Sequence, residues 1–224
     1  MKGNFICIIG IDGSGKTTLT KNLIQSFERE GYCYTYEWAK FESSLLKAVI
    51  FLKNSFFVRG NDQKTLVEKN QNIKNKLFQN TVICFFYESF VTISYFFQMF
   101  IRITIPLKNG KNIICDRYLY DTLVDLAYDL KYDEKKIRER TNLYLKYLPH
   151  PDVLIYLKIP EEIALKRKDD IPSYEFISEK RKIYEKILKI LGERNNNYFE
   201  VEGTDSPEIV TRNATGHINE VIKV

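Results

Sequence analysis

The sequence predicts a doubly wound α/β fold, with a mainly parallel sheet of about five strands and helices on both faces. Short apolar runs alternate along the chain with longer segments of helical periodicity, and a glycine-rich turn follows the first apolar run. The length of 224 residues fits one such domain, so we treat residues 1–224 as a single unit. Apolar residues make up 44% of the chain and charged residues 28%, which excludes wholesale disorder.

The first forty residues are predicted to form a β-α-β unit. Residues 5–9 are apolar without alternation, as expected for a central parallel strand that is buried on both faces. The next helix runs over residues 16–30, with an apolar residue at every fourth position and Gly31 where its C-terminal cap belongs. Residues 32–38 then form the second strand.

The middle of the chain is predicted to be mainly helical, over residues 41–58 and 63–102, with a break at residues 60–62. The most apolar segment, residues 81–107, contains a longest uncharged run at residues 89–101. This run is shorter than the roughly 20 apolar residues that a membrane span needs. We therefore interpret the segment as a buried or interfacial helix and predict no membrane span.

The second half of the chain continues the alternation of strands and helices. Ser173 and Ser206 occupy N-cap positions, and Gly192 is expected to end the helix that Ser173 begins. Strands are predicted over residues 111–115, 153–157 and 198–201, and helices over residues 121–130, 134–148 and 173–191, with two more beginning at residues 160 and 206.

Charge and cysteine content exclude several classes of function. The net charge of +5 is mild and no stretch is an uninterrupted basic block, which argues against nucleic acid as a partner. The four cysteines form no C-x-x-C pair and the chain has two histidines, which argues against a zinc site. Residues 5–9 are too short for a secretory signal. We expect a cytoplasmic protein with reduced thiols.

Residues 10–17 satisfy the phosphate-binding pattern G-x-x-x-x-G-K-[ST]. The glycines let consecutive backbone N–H groups surround a phosphate, and the following helix N-terminus adds its positive end. Lys16 is expected to reach the β- and γ-phosphates of ATP, and the Thr17 hydroxyl to hold Mg²⁺. The predicted ATP-binding residues are Gly10, Ile11, Asp12, Gly13, Ser14, Gly15, Lys16, Thr17 and Thr18.

A second motif, Asp116-Arg117-Tyr118, follows the predicted strand over residues 111–115. Because the carboxyl ends of parallel strands share one edge, Asp116 and Arg117 should emerge beside the phosphate loop. There Asp116 could order the water ligands of Mg²⁺, and the forked guanidinium of Arg117 could clamp an acceptor phosphate. The chain has neither the N-K-x-D motif of GTPases nor the L-S-G-G-Q motif of transporter ATPases.

With these motifs the sequence resembles the thymidylate kinase family. The phosphate loop with Asp12, the Asp116-Arg117-Tyr118 motif and the stretch over residues 151–168 stand in that family's order. The resemblance implies a P-loop NTP hydrolase fold and Mg²⁺-dependent transfer of the ATP γ-phosphoryl group to a nucleoside monophosphate, dTMP, to give dTDP. It also implies a lid at about residues 166–182 and an acceptor-side helical segment at about residues 41–105.

The resemblance further implies roles for single residues. Lys16, Arg117 and Arg167 would be catalytic, with Arg167 in the lid that closes over ATP. Ser14 stands where some family members place an Arg, so a lid cation would neutralise the transferred charge. The acceptor-binding residues would be Asp12, Glu37, Arg117 and Tyr118, the metal ligands Thr17 and Asp116, and the candidate lid cations Lys166, Arg167, Lys168, Lys180 and Arg181.

The sequence also departs from the family's pattern on the acceptor side. The family's Arg-Glu-Pro-Gly run corresponds to residues 36–39, where only Glu37 matches. No Arg precedes Arg102 in the helix expected to read the thymine, and Asp121 and Asp125 stand where hydroxyl-bearing residues are expected. That helix instead carries rings that could line the acceptor pocket, belong to the core or pair two copies in a homodimer: Phe85, Phe86, Phe90, Tyr95 and Phe96.

Two alternatives follow from these departures. A kinase of the same fold could act on another nucleotide or on a phosphorylated metabolite. An ATP-binding regulatory module could retain the phosphate loop without turnover of any acceptor, with the aromatic segment as its partner-binding face.

Overall fold

The computed structural model describes residues 2–41, 78–194 and 198–222. In this part of the chain five strands form one sheet, and all four strand pairings are parallel. The predicted doubly wound α/β fold is therefore confirmed. The strands are β1 (Phe5–Ile9), β2 (Tyr34–Trp38), β3 (Asn112–Asp116), β4 (Val153–Lys158) and β5 (Phe199–Glu202), in the spatial order β2-β3-β1-β4-β5.

The described helices follow the predicted segments closely. They are α1 (Lys16–Arg29), α2 (Thr81–Met99), a π-helical segment (Phe100–Thr104), α3 (Ile105–Lys108), α4 (Leu119–Asp129), α5 (Glu134–Tyr147), α6 (Glu161–Arg167), α7 (Tyr174–Glu193) and α8 (Pro207–Val221).

Serine N-caps begin two of the helices, as predicted. Ser173 accepts a hydrogen bond from the backbone N–H of Phe176, and Ser206 accepts one from Ile209, as N-caps do. The prediction that Gly192 ends its helix is wrong, because α7 continues through it to Glu193.

The prediction of one helix over residues 63–102 is also corrected in its described part, residues 78–102. Asn80 caps a new helix by accepting hydrogen bonds from Val82 and Ile83, and the helical path then continues beyond residue 102 to Lys108. The helix predicted over residues 41–58 and the break at residues 60–62 lie outside the described residues, apart from Phe41.

The central strand β1 separates two apolar cores. Ile6 and Ile8 face a core formed with α1 and α8. Phe5, Cys7 and Ile9 face a larger core that includes residues of α2, α4 and α7. Every residue of β1 is fully buried, in agreement with its uninterrupted apolar sequence.

The sheet order creates a crevice at the carboxyl ends of β1 and β3. These neighbouring strands pair in register from Phe5 with Ile113 to Ile8 with Asp116. The chain leaves β1 towards β2 on one side and leaves β3 towards β4 on the other. Ligands of open α/β sheets bind at such a point, so the fold brings both predicted motifs to one place.

The helix α2 packs one face on the protein and exposes the other. Its exposed side chains include Phe86 and Phe97, with exposed fractions of 67% and 68%. By length and composition alone, Thr81–Lys108 would be sufficient to cross a membrane, although one face is buried in the protein. The inward residues recur every four positions through the π-helical segment and α3: Val91, Tyr95, Met99, Ile103 and Leu107.

Candidate active site

The phosphate-binding loop joins β1 to α1, and its glycines are required by close backbone contacts. A Cβ atom on Gly10 would lie 2.5 Å from the carbonyl oxygen of Leu157. One on Gly13 would lie 2.8 Å from that of Ala164, and both glycines have positive φ angles of 148° and 83°. No other residue type fits this turn without strain.

The Lys16 side chain folds back over the loop. Its ammonium donates hydrogen bonds to the carbonyl oxygens of Gly10 and Ile11, both at 2.8 Å, and to the Ser14 hydroxyl at 3.4 Å. Burial lowers the pKa of Lys16 to about 7, and the nearby Arg117 charge acts in the same direction. The structure thus places the predicted catalytic Lys inside the predicted ATP-binding loop.

Thr17 and Asp116, the two predicted metal ligands, meet across the crevice. The Thr17 hydroxyl donates a hydrogen bond to Asp116 Oδ2. The Tyr36 hydroxyl donates to the same oxygen at 3.2 Å, a contact that the sequence analysis missed. Asp116 is fully buried, and its Oδ1 has no hydrogen-bond partner among the described residues.

This oxygen pair fits a hydrated Mg²⁺ ion. Buried carboxylate oxygens are normally hydrogen-bonded, so the unpartnered Oδ1 of Asp116 is suited to a metal-bound water. Mg²⁺ usually keeps several waters and is held by one or two protein oxygens together with substrate phosphates. The described residues contain no cluster of three or more His, Cys, Asp or Glu side chains that could hold a metal.

Arg117 links the two motifs. Its guanidinium donates to Asp12 Oδ1 at 2.6 Å and to Asp121 Oδ1 at 3.1 Å. Asp121 also accepts from the Tyr184 hydroxyl at 2.7 Å, which fixes the carboxylate from the side of α7. Arg117 has a φ angle of 71°, in a region that non-glycine residues rarely adopt and that is concentrated at functional sites.

Within this cluster, neighbouring charges keep Asp12 and Arg117 ionised. Burial favours the neutral carboxyl of Asp12, but Arg117 and then Lys180 outweigh it and hold the pKa of Asp12 well below its usual range. Burial also opposes the charge on Arg117, whereas Asp121 and Asp12 raise the pKa of its guanidinium. For Asp121 burial dominates and raises the pKa.

Two predicted acceptor-binding residues are engaged elsewhere. Glu37 Oε2 accepts hydrogen bonds from Arg102, from Nη2 at 2.6 Å and from Nε at 3.0 Å. Tyr118 is fully buried, and its hydroxyl donates to the Pro149 carbonyl oxygen at 3.1 Å. The Tyr118 side chain therefore presents no free polar atom to an acceptor, because core packing on Phe5 has enclosed the ring.

The rings of the aromatic segment, for which acceptor pocket, core and dimer face were open alternatives, lie on different faces of α2. Phe85 and Phe86 lie on the exposed face of α2. Tyr95 lies in the core, where its hydroxyl donates to the Ala39 carbonyl oxygen at 3.0 Å. Helical geometry explains the split, because rings ten positions apart on one helix point in different directions.

The lid cations separate into distinct environments. Arg167 donates to the Gly203 carbonyl oxygen at 2.9 Å, and Arg181 pairs with Glu161 at 2.6 Å. Lys180 pairs with Asp125 at 2.6 Å. Arg167 borders a cleft of about 270 Å³ beside the phosphate loop, whose other lining residues include Ser14, Gly15, Thr18, Leu157, Asp205 and Pro207.

Comparisons with known proteins agree with this arrangement. The "Probable thymidylate kinase" of Pyrococcus abyssi is 29% identical over 170 residues, covering 75% of this chain and 70% of the relative. The "Thymidylate kinase" of Buchnera aphidicola is 27% identical over 228 residues, covering 99% and 92%. Both coverages are high, so the resemblance extends through most of each chain.

The solved structure of deoxyadenosine kinase from M. mycoides with bound dATP has a TM-score of 0.58 and 19% identity. It covers 96% of this chain and 98% of that chain, which supports the predicted P-loop NTP hydrolase fold. The sequence model of the family described as "Thymidylate kinase" matches residues 72–214. Because this match extends over more than half of the sequence, the chain belongs to the thymidylate kinase family.

Proposed function

We propose that this protein transfers the γ-phosphoryl group of ATP to dTMP, giving dTDP and ADP. One observation carries the proposal: Arg117 joins the phosphate-loop Asp12 to Asp121, immediately beside Lys16 and the Thr17–Asp116 pair. A cation suited to an acceptor phosphate thus lies against a loop suited to a donor phosphate. Such a transfer requires mainly positioning and neutralisation of charge.

The donor side would be formed by the phosphate loop and the adjoining cleft. Backbone N–H groups of the loop and the Lys16 ammonium would bind the β- and γ-phosphates. Thr17 and Asp116 would hold Mg²⁺ through its waters. When bound with ATP, Mg²⁺ neutralises charge on the phosphates. The cleft beside Arg167 would receive the adenosine moiety, with the planar guanidinium available for stacking on its ring.

The acceptor side would be formed by Arg117 and its carboxylate partners. The Arg117 fork is held by Asp12 and Asp121, and it would turn one or both donor groups towards the acceptor phosphate. Asp12 would then contact the acceptor sugar or phosphate. We propose a cytoplasmic location for this activity.

A panel of acceptors tests the proposal. We expect acceptor-dependent ADP formation with dTMP under saturating Mg-ATP, and weaker turnover with dUMP, CMP and UMP. The described residues show no polar contact built for thymine, so we expect a preference for dTMP over dUMP of roughly 10- to 200-fold. A preference of several thousandfold would show that a specific reading residue exists. Slow hydrolysis of ATP that no acceptor stimulates would overturn the proposal in favour of an ATP-binding module.

We also propose that the exposed face of α2 pairs two copies of the chain. This outer face carries rings and aliphatic side chains without a charge. Pairing it with the same face of a second copy would remove this apolar surface from water. Its exposed apolar residues are Val82, Ile83, Phe85, Phe86, Phe90, Ile93 and Phe97, continued by Phe100, Ile101 and Ile105.

Mass measurement by light scattering tests this pairing. The wild type should have the mass of a dimer, and Phe97→Glu should shift it towards the monomer. Tyr32→Glu changes an exposed ring outside this face and should leave the dimer intact. A wild type that is monomeric at micromolar concentration overturns the pairing, and its binding to lipid vesicles would assign the outer face to a membrane surface instead.

A further inference from the structure

Two cross-links join α4 to α7 beside the predicted acceptor site. Tyr184 donates to Asp121 at 2.7 Å, and one helical turn away Lys180 donates to Asp125 at 2.6 Å. Asp121 and Asp125 are four positions apart on α4, and Lys180 and Tyr184 are four positions apart on α7. All four side chains therefore lie on the facing surfaces of the two helices. The first pair supports Arg117, whereas the second has no role in the function proposed above.

Asp125 carries a second cation. Lys40, just after β2, pairs with its other oxygen at 2.8 Å. Two ammonium groups therefore share one carboxylate, and Asp12 and Asp129 are further negative charges that act on Lys180. The Asp125 side chain is 30% exposed whereas that of Lys180 is 10% exposed, so solvent reaches the cluster at the carboxylate.

Lys180 keeps its charge although it is buried. Burial lowers the pKa of its ammonium, but Asp125 and then Asp12 more than restore it and leave the pKa raised. The ammonium also lies 4.3 Å from the centre of the Phe176 ring, a favourable cation–π distance. Lys180 is therefore a buried cation whose charge is stabilised by Asp125 and by Asp12 of the phosphate loop.

The other candidate lid cations are less suited to this task. Arg167 is bonded to the Gly203 carbonyl oxygen at the ATP-side cleft, and Arg181 is held between Glu161 and Glu185. Lys166 is exposed, and Lys168 pairs with Asp170 in the loop before α7. Among the lid cations, Lys180 acts on the Asp12 carboxylate most directly.

We propose that Lys180 is the cation that binds a phosphate oxygen between the two substrates. Its ammonium would leave the Asp125 carboxylate and bind an oxygen of the transferred γ-phosphoryl group or of the acceptor phosphate. Lys40 would keep Asp125 paired during the exchange, so that no buried charge is left alone. The proposal rests on the proposed phosphoryl transfer and assigns to Lys180 the cation that the loop lacks at Ser14.

Kinetics of Lys180→Met test the proposal, with Lys182→Met as the matched control from an exposed position on the same helix. We expect kcat with dTMP to fall by about 10²-fold for Lys180→Met, because one fixed charge at the transferred group is lost. An accompanying rise in the KM for dTMP assigns Lys180 to the acceptor phosphate, whereas a rise in the KM for ATP assigns it to the γ-phosphoryl group. Lys180→Arg should retain more turnover than Lys180→Met.

Asp125→Asn separates this role from a structural one. If Lys180 binds phosphate, this variant loses thermal stability but lowers kcat with dTMP much less than Lys180→Met does, because the ammonium is still present. If the pair only joins α4 to α7, Lys180→Met and Asp125→Asn lower the Tm alike and neither changes kcat or either KM, which overturns the proposal.

Calorimetric titration with dTMP and with a non-hydrolysable ATP analogue makes the test independent of turnover. Weaker binding of either ligand by Lys180→Met than by the wild type supports the proposal, and unchanged affinity for both ligands overturns it. A wild type without acceptor-dependent turnover would overturn the proposed function, and this titration would still decide the role of Lys180.

Discussion

The two halves of the candidate site are built in different ways. The phosphate loop of the donor half is a run of consecutive residues in which Lys16 bonds to the backbone of its own loop. The acceptor half is assembled from residues that follow β2 and β3 and from α4 and α7, and each of its cations contacts a carboxylate at least 55 positions away in sequence. The local sequence determines most of the geometry of a contiguous motif, whereas a dispersed site acquires its geometry only when the chain folds.

The halves also hold their positive charges differently. Neutral carbonyl groups surround the Lys16 ammonium, and burial lowers its pKa to about 7. In the acceptor half, carboxylates offset the effect of burial and raise the pKa values of Arg117 and Lys180. Binding of a phosphate in the donor half can therefore be accompanied by proton uptake at Lys16. In the acceptor half, Arg117 and Lys180 would instead exchange a carboxylate partner for the phosphate.

The largest expected effect is at Lys16. Lys16→Met should lower kcat by about 10²- to 10³-fold, because a preorganised donor to the transferred group is lost. The thermal midpoint should not fall, since the fold no longer has to bury an ammonium. Steady-state turnover and thermal unfolding measure both, with Lys21→Met on the exposed side of α1 as the control. Retention of most of the turnover would contradict the assignment of the phosphate loop.

Arg117→Lys should produce the next largest effect. Lysine keeps the charge but cannot contact Asp12 and Asp121 as a planar fork, so the acceptor phosphate would be misplaced. We expect kcat/KM for dTMP to fall roughly 10²-fold. Affinity for ADP, measured by calorimetry, should stay close to that of the wild type. An equal loss of ADP affinity would move Arg117 to the donor half.

Tyr36→Phe should act on the boundary between the halves. The Tyr36 hydroxyl, whose pKa burial and Asp116 raise to about 12, remains a donor to Asp116 at neutral pH. Loss of this hydrogen bond, worth about 0.5–1.5 kcal/mol, should raise the Mg²⁺ concentration for half-maximal turnover roughly 2- to 10-fold. Turnover at saturating Mg²⁺ should be preserved. The same Mg²⁺ dependence in Tyr36→Phe and wild type would leave Tyr36 without this positioning role.

The smallest expected effect is the uptake of a fraction of a proton when ADP binds. At pH 8 Lys16 is mostly neutral in the free protein, because its pKa of about 7 lies below this pH. Bound phosphates would raise that pKa, so ADP binding should take up protons at pH 8 and hardly any at pH 6. Calorimetry in two buffers of different ionisation enthalpy measures the uptake. Lys16→Met should abolish it, and uptake that persists in this variant would assign the proton to another group.

The same group affects stability in a defined pH window. Between about pH 7 and the ordinary lysine pKa of 10.5, the unfolded chain binds more protons at Lys16 than the folded protein does. The contribution of Lys16 to the free energy of unfolding therefore rises with pH across this window.

The sequence was sufficient where the relevant contacts are local or follow from strand direction. The apolar runs predicted the parallel strands, and the serine N-caps at Ser173 and Ser206 are confirmed. The meeting of Asp12 with Arg117 follows from the shared edge of parallel strands, although these residues are 105 positions apart. The biochemical roles of these residues stay predictions.

Contacts set by tertiary packing were not predictable in the same way. Arg102 pairs with Glu37 over 65 positions, and no pattern in either segment indicates the other. The burial of Tyr118 depends on the packing of its ring against Phe5. For Asp121 and Asp125 a signal does exist, because acidic residues four positions apart on a buried helix require partners on a neighbouring element.

The π-helical segment has a consequence for how this chain is aligned with its relatives. In a straight α-helix, inward residues spaced strictly by four would drift by about 40° at each step. The wider turn at Phe100–Thr104 accommodates one extra residue and brings Ile103 and Leu107 back to the side of Tyr95. Removing one residue there would turn residues 81–99 by about 100° relative to the sheet. An alignment to a relative with an uninterrupted helix therefore needs a one-residue gap within residues 100–104, or every position of α2 is compared with the wrong neighbour.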